Sequence, residues 1–234
     1  MKPINVGLLG IGTVGGGTFR VLRRNSEEIS RRAGCEIRMT AVADKDVARA
    51  KSIVGDAARV TGDALDVVND PDIDIVVELI GGYGVAREMV LKAIAAGKHV
   101  VTANKALLAL HGNEIFAAAR AKDVTVCFEA AVGGGIPIIK SLREGLTANR
   151  IEWIAGIING TSNFILSEMR DRGAAFADVL KEAQRMGYAE ADPTFDIEGV
   201  DAAHKLSIMA AIGFGIPVQF GKVHVEGISK LAQE

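Results

Sequence analysis

Cysteine is nearly absent. Cys35 and Cys127 are the only two in 234 residues, and they lie far apart with no Cys-x-x-Cys spacing. Neither a disulfide framework nor a zinc site is therefore indicated. An excess of one charge is missing as well. Twenty-seven lysines and arginines stand against 29 aspartates and glutamates, a net −2, which gives no general attraction to nucleic acid or to an anionic membrane. No apolar run approaches the roughly 18 residues of a membrane-spanning helix. The amino terminus passes directly into a predicted strand, without the charged, apolar and small-residue regions of a signal peptide. The chain is expected in the cytoplasm, where the Asn159-Gly160-Thr161 match to a glycosylation acceptor is fortuitous. Internal repeats and low-complexity tracts are also missing. What is abundant is apolar side chain, 49% of the sequence, ample for a core and unlike a disordered composition.

The first strong pattern is a short apolar strand, Ile4 to Leu9, running into Gly10-Ile11-Gly12-Thr13-Val14-Gly15. A helical pattern follows, carried by Val14, Phe19, Val21 and Leu22. Gly-x-Gly-x-x-Gly between strand and helix is a dinucleotide-binding turn. Its first glycine permits the tight turn, its second lets backbone approach a pyrophosphate, and its third lets helix pack on strand. The helix N-terminus offers free N–H groups to the anion. The candidate cofactor residues here are Gly10, Gly12, Thr13, Val14 and Gly15. A second strand, Ile37 to Ala43, ends at Asp44, the place for an acid that bonds adenine-ribose hydroxyls. A polar extension, Arg23 to Gly34, accounts for the longer than usual gap. Asp44 argues for NAD, whereas Lys45 and Arg49 could hold the 2′-phosphate of NADP, and both readings stay open.

Further strands are expected at Ile73–Ile80, His99–Thr102 and Val124–Phe128, with a helix carrying Val85, Met89, Val90, Ala93 and Ile94 between the first two. Cys127 is expected buried within the last strand. Strand alternating with helix predicts a doubly wound, Rossmann-type parallel α/β sheet with its ligand edge at the carboxyl ends of the strands. On that edge lie Glu78, which is either functional or a satisfied buried carboxylate, and Asn104-Lys105, with Asn104 as N-cap. A lysine in a first helical turn opposes the helix dipole, which favours a functional reading of Lys105. Glu129 through Pro137 reads by residue type as a flexible turn leading to a helix. Its alternative is a carboxylate with freed carbonyls around a hard monovalent cation.

A joint at Gly145 to Arg150 gives domains of 1–146 and 147–234. In the second, a strand is expected at Ile151–Ile158, stopped by Asn159-Gly160, and another at Val223–Glu226. Thr161-Ser162-Asn163 is the expected cap of a helix through Met169, and Phe176–Met186 forms the next helix. Gly187 to Lys205 then packs Glu190, Asp192, Asp196, Glu198 and Asp201 ahead of one lysine. Asp201, Lys205, Ile208, Met209 and Ile212 recur at helical spacing, so Asp201 and Lys205 share one face. The plain reading is a solvated ion pair worth roughly 0.2–0.5 kcal/mol. The functional one is a cationic acid among carboxylates, suited to a small substrate with an ammonium group and an oxygen that exchanges a proton.

Taken together, Gly7 through Gly15, Ala103-Asn104-Lys105, Glu129 through Pro137, Asn159 through Asn163, and Gly187 through Pro193 with Asp196, Asp201 and Lys205 resemble the homoserine dehydrogenase family along essentially the whole chain. The resemblance implies NAD(P)-linked interconversion of L-homoserine and L-aspartate 4-semialdehyde, on the way to threonine, methionine and isoleucine. It implies Lys205 as proton donor to the carbonyl oxygen, with Lys105 assisting. Glu190, Asp201, Asp196 and Thr161 fall to the amino-acid substrate, and Lys105 and Gly187 to the cofactor. A sodium site falls on Glu129 and the carbonyls of Val132, Gly134 and Ile136. The family often has an arginine where Ala43 stands, so the choice between NADP and NAD stays open. The implied second domain is an α+β substrate and dimerisation domain, expected to be truncated at Glu234, with a homodimer at full family length. Two other classes compete. Aspartate-semialdehyde dehydrogenase needs a thiolate nucleophile for which neither cysteine has a histidine motif. The other is a non-catalytic NAD(P)-binding fragment or sensor.

Overall fold

In the computed structural model, which describes residues 2–232, the chain divides into two compact units, the first ending at Gly135 and the second opening at Ile136. The turn-rich stretch Gly145 to Arg150 thus lies inside the second unit.

The first unit starts with β1 (Ile4–Leu9), α1 (Thr13–Arg24) and α2 (Ser26–Ala33), then β2 (Ile37–Ala43), α3 (Val47–Val54) and β3 (Arg59–Thr61). It continues with α4 (Ala64–Val68), β4 (Ile75–Glu78), α5 (Gly84–Ala95), β5 (His99–Thr102), α6 (Lys105–Ala121) and β6 (Val126–Cys127). The polar extension in the first crossover is α2. Every strand pairs parallel, in the order β3-β2-β1-β4-β5-β6. Parallel strands with helical crossovers bury both sheet faces, which is why β1 and β4 read as nearly unbroken apolar runs. The order reverses between β1 and β4, and ligands of open α/β sheets bind at that switch point, outside the carboxyl ends of the strands.

The core of this unit joins Val6 and Leu8 of β1, Met39 and Val42 of β2, Phe19 of α1, Val54 of α3 and Val77 of β4. Burying each such side chain is worth about 1.5–3 kcal/mol. Two helix faces differ from their apolar patterns. Val14 and Val21 are exposed while Gly15, Gly16 and Phe19 meet the sheet, because glycines bring that face of α1 closest to β1. On α5 Val85 is exposed, and Ala86 joins Met89, Val90, Ala93 and Ile94 in the buried face. Cys127 is also exposed, contrary to expectation. It sits on the two-residue edge strand β6, where the strand's alternation turns Val126 inward and Cys127 outward.

The second unit contains α7 (Ile138–Lys140), which continues into a π-helical turn at Ser141–Gly145, then α8 (Gly160–Arg172), α9 (Phe176–Arg185), α10 (Thr194–Ile197) and α11 (Val200–Gly213). Ile165 and Met169 of α8 pack with Val179 and Ala183 of α9 and with Ala189. The expected strands at 151–158 and 223–226 do not form among the described residues. A strand exists only through its ladder, and no hydrogen-bonded neighbour runs alongside either segment. Ile151 and Ile154 instead lie over Gly213 of α11, while Trp153 and Ile157 remain exposed. No helix of the described residues is long and apolar enough to cross a membrane.

Candidate functional site

In the first unit the three glycines of the turn have three different surroundings. Gly10 adopts φ +89°, and a Cβ there would lie 2.6 Å from the Leu79 carbonyl oxygen. A Cβ on Gly15 would lie 2.0 Å from the Gly10 carbonyl oxygen, so this glycine lets α1 start against the end of β1. At Gly12, nothing lies within 4 Å of the Cβ position, and no side chain caps the helix that begins there. The fold demands the first and third glycines. The second leaves room that the fold itself does not use, as close approach of a pyrophosphate to backbone requires. These residues fit a dinucleotide. Thr13 and Val14, the first residues of α1, are exposed.

Asp44 is tied to this turn. Its Oδ2 accepts from the Ile11 N–H at 2.7 Å and its Oδ1 from the Asp46 N–H at 2.9 Å, while Gly10 N–H donates to the Ala43 carbonyl at 2.8 Å. Lys45 and Arg49 are exposed beside it. At the ends of β4 and β5, Glu78 is fully buried and accepts from Thr102 Oγ1 at 2.6 Å and Ile80 N–H at 2.8 Å. Thr102 Oγ1 accepts from Asn104 N–H at 3.0 Å, and Asn104 Nδ2 donates to the Gly82 carbonyl. Asn104 Oδ1 accepts from Leu107 N–H at 3.1 Å, capping α6 as expected. Glu78 is thus a satisfied structural carboxylate, and its network fixes where Lys105, the first residue of α6, begins. Further along, Val132 and Gly133 N–H both donate to the Glu129 carbonyl at 3.2 Å, curling this segment back on Glu129. Among the described residues, no histidine is hydrogen-bonded to Cys127.

In the second unit Gly199, at φ +79°, opens α11. Asp201 and Lys205 lie one turn apart, with Lys205 Nζ 2.8 Å from Asp201 Oδ2. Their side chains are only 6% and 17% exposed, so this is not the solvated pair of the plain reading. Removing one member of a buried pair strands the other and typically costs about 3–5 kcal/mol. Lys205 Nζ also donates to the Ile158 carbonyl at 2.8 Å. Asn159 adds what sequence reading missed. Its Nδ2 donates to Asp196 Oδ1 at 2.8 Å and to Asp201 Oδ2 at 2.9 Å. Its Oδ1 accepts from Ser162 N–H at 2.7 Å, so Asn159 caps α8 in place of Thr161-Ser162-Asn163. Thr161 Oγ1 donates to the Tyr188 carbonyl at 2.7 Å and Ser162 Oγ to the Asp196 carbonyl at 2.9 Å, docking the start of α8 on the acidic segment. Gly187, at φ +78°, ends α9. Glu190 is exposed, and its carboxylate makes no hydrogen bond to Lys205. Asp192 is held below the usual carboxylate range by the Thr194 hydroxyl and N–H. The fold therefore brings Asp196, Asp201 and Lys205 together through Asn159 and leaves Glu190 outside that bonded set.

Fold and site define a doubly wound α/β protein with a dinucleotide-type turn, joined to a helical unit that holds a buried lysine–aspartate pair. Two family models match, one described as homoserine dehydrogenase, NAD binding domain, over residues 10–129, and one described as homoserine dehydrogenase over 137–234. The chain belongs to the homoserine dehydrogenase family. A homoserine dehydrogenase of Pseudomonas aeruginosa is 66% identical over 99% of this chain and 53% of its own length. The crystal structure of one from Thiobacillus denitrificans is 71% identical, with a TM-score of 0.95 over 99% of this chain and 53% of that one. A hyperthermophilic archaeal homoserine dehydrogenase solved in complex with NADPH is 27% identical, with a TM-score of 0.83 over 98% of this chain and 75% of that one. The chain spans about half the length of the curated relatives it matches.

Proposed function

We propose that this chain carries the cofactor and catalytic parts of an NAD(P)-dependent homoserine dehydrogenase that interconverts L-homoserine and L-aspartate 4-semialdehyde. The observation that carries the reading is the buried Asp201–Lys205 pair, anchored on the Ile158 carbonyl, in a chain whose other unit bears the open Gly12 turn. A nicotinamide cofactor, when bound, supplies or accepts the hydride. Gly10, Gly12, Thr13, Val14 and Gly15 would hold its pyrophosphate, and Asp44, Lys45, Lys105 and Gly187 would contact the rest. Lys205 gives a proton to the aldehyde oxygen in reduction and takes the hydroxyl proton back in oxidation, with Lys105 assisting. Asp201 and the Ile158 carbonyl aim the ammonium. Glu190, Asp196 and Thr161, together with Asp201, bind the amino-acid end of the substrate. The test is L-homoserine-dependent formation of reduced nicotinamide. A chain that binds the cofactor and forms none would be a binding module.

Both cofactors are proposed to be accepted, with NADP held through Lys45 and Arg49, which are exposed beside Asp44. Lys45→Ala should weaken NADP binding at least several-fold more than NAD binding. Equal losses would show that Lys45 does not touch the 2′-phosphate. A sodium ion on Glu129 and the carbonyls of Val132 and Gly134 is supported by the curled, oxygen-bearing turn there, since oxygen ligands suit a hard cation. Ile136, the remaining member of the expected set, opens the second unit. The same reading places the protein in the cytoplasm, in threonine, methionine and isoleucine biosynthesis. It makes the protein a homodimer at family length, for which exposed Trp153 and Ile157 offer apolar surface.

A further inference from the structure

We propose that Asn159 is a positioning residue for the catalytic lysine, and that it acts through its side-chain amide. The two donor hydrogens on Nδ2 are divided between two carboxylates from different elements, Asp196 on α10 and Asp201 on α11, at 2.8 and 2.9 Å. Two carboxylates drawn to one site repel each other, and a neutral two-donor group is the smallest unit that satisfies both without adding charge. Sharing the amide fixes the Asp201 carboxylate in rotation, and its Oδ2 is the oxygen that meets Lys205 Nζ. The preceding residue supplies the second anchor, the Ile158 carbonyl. The dipeptide 158–159 therefore holds the ammonium twice, directly by backbone and indirectly through Asp201. Asn159 is itself immobilised, because its Oδ1 is committed to the N-terminus of α8 through Ser162. A helix end, two carboxylates and one ammonium are thus set by one side chain. Asp196 is held by this amide, whereas the lysine pairs with Asp201.

The catalytic half of this statement rests on the dehydrogenase reading proposed above; the positional half does not. Asn159→Ser and Asn159→Asp both keep an oxygen that caps a helix as well as asparagine does, and neither offers the two donors. Asn159→Ala loses both functions. The measurement on the whole chain is the ¹⁵N resonance of the Lys205 ammonium, assigned by its loss in Lys205→Met, together with kcat and cofactor affinity. We expect both cap-keeping variants to lose or displace the ammonium resonance, and kcat to fall by about 10²-fold, the usual effect of a misplaced group. Cofactor affinity should be unchanged. If either cap-keeping variant folds and reproduces the wild-type resonance and kcat, with only alanine impaired, Asn159 is a helix cap alone and the proposal is overturned. Should the wild type turn over no homoserine, the dehydrogenase reading fails by itself, and the resonance still decides the position of the lysine.

Discussion

At the scale of the residue, glycines make the sharpest division between fold and function. Gly15→Ala should lower thermal stability markedly, because its Cβ would have to displace the Gly10 carbonyl. Gly12→Ala meets no atom within 4 Å and should cost no more than about 1 kcal/mol as a poorer cap. It should nevertheless weaken dinucleotide binding at least tenfold. Thermal melts and cofactor titrations on both variants separate the two effects, and a Gly12→Ala protein with unaltered cofactor affinity would remove that glycine from the site. The same contrast explains what the sequence made legible. Glycines at fixed spacing, and Asp201 four residues before Lys205, declare themselves locally. Asn159 does not, since its partners stand 37 and 42 residues away in sequence. What stood out there was Asn-Gly ending an apolar run, within a stretch that resembles the family, and neither feature tells what its amide bonds.

At the scale of the element, the connection between α4 and β4 is fastened by charge. Asp70 lies below the usual carboxylate range, first because the Asp72 N–H donates to it and then because Arg59 does, and these outweigh the opposing effect of burial. Lys98 is buried beside it, with Nζ donating to the Asp70 and Ile73 carbonyls at 2.5 and 2.7 Å, and desolvation pushes that amine below the usual lysine range. For Asp70 the folded value is the lower one, so its contribution is complete above the unfolded value near 3.8 and is lost as pH falls through the folded value. Asp70→Asn should therefore be less stable than wild type at neutral pH, and the gap should begin to close only as pH falls below about 3.8, toward the lower folded value. A gap that stays constant over that range would mean the aspartate acts through packing alone. Among elements, the buried parallel strands were legible because long apolar runs have one meaning in such a sheet. The segment 151–158 was not, since its composition is that of a strand while ladder partners are a property of the neighbouring chain. Cys127 misled for a related reason, because an edge strand of two residues leaves one side chain outward.

At the scale of the whole molecule, six parallel strands in the order β3-β2-β1-β4-β5-β6 make the first unit a dinucleotide scaffold. The second unit contributes the lysine pair on α11. Neither unit contains the complete set of residues that the proposed reaction uses, so cofactor binding and turnover are separable properties of the chain. The exposed Trp153 and Ile157 lie on the segment whose last residues, Ile158 and Asn159, anchor that pair. The most direct measurement is formation of reduced nicotinamide from L-homoserine by this chain, run beside Lys205→Met, with cofactor affinity determined for both. The account predicts measurable formation by the wild type, a fall of about 10²–10⁴-fold in the variant as expected for loss of a general acid, and equal cofactor affinity. Equal rates in the two proteins, or binding without any homoserine-dependent reduction in the wild type, would contradict it.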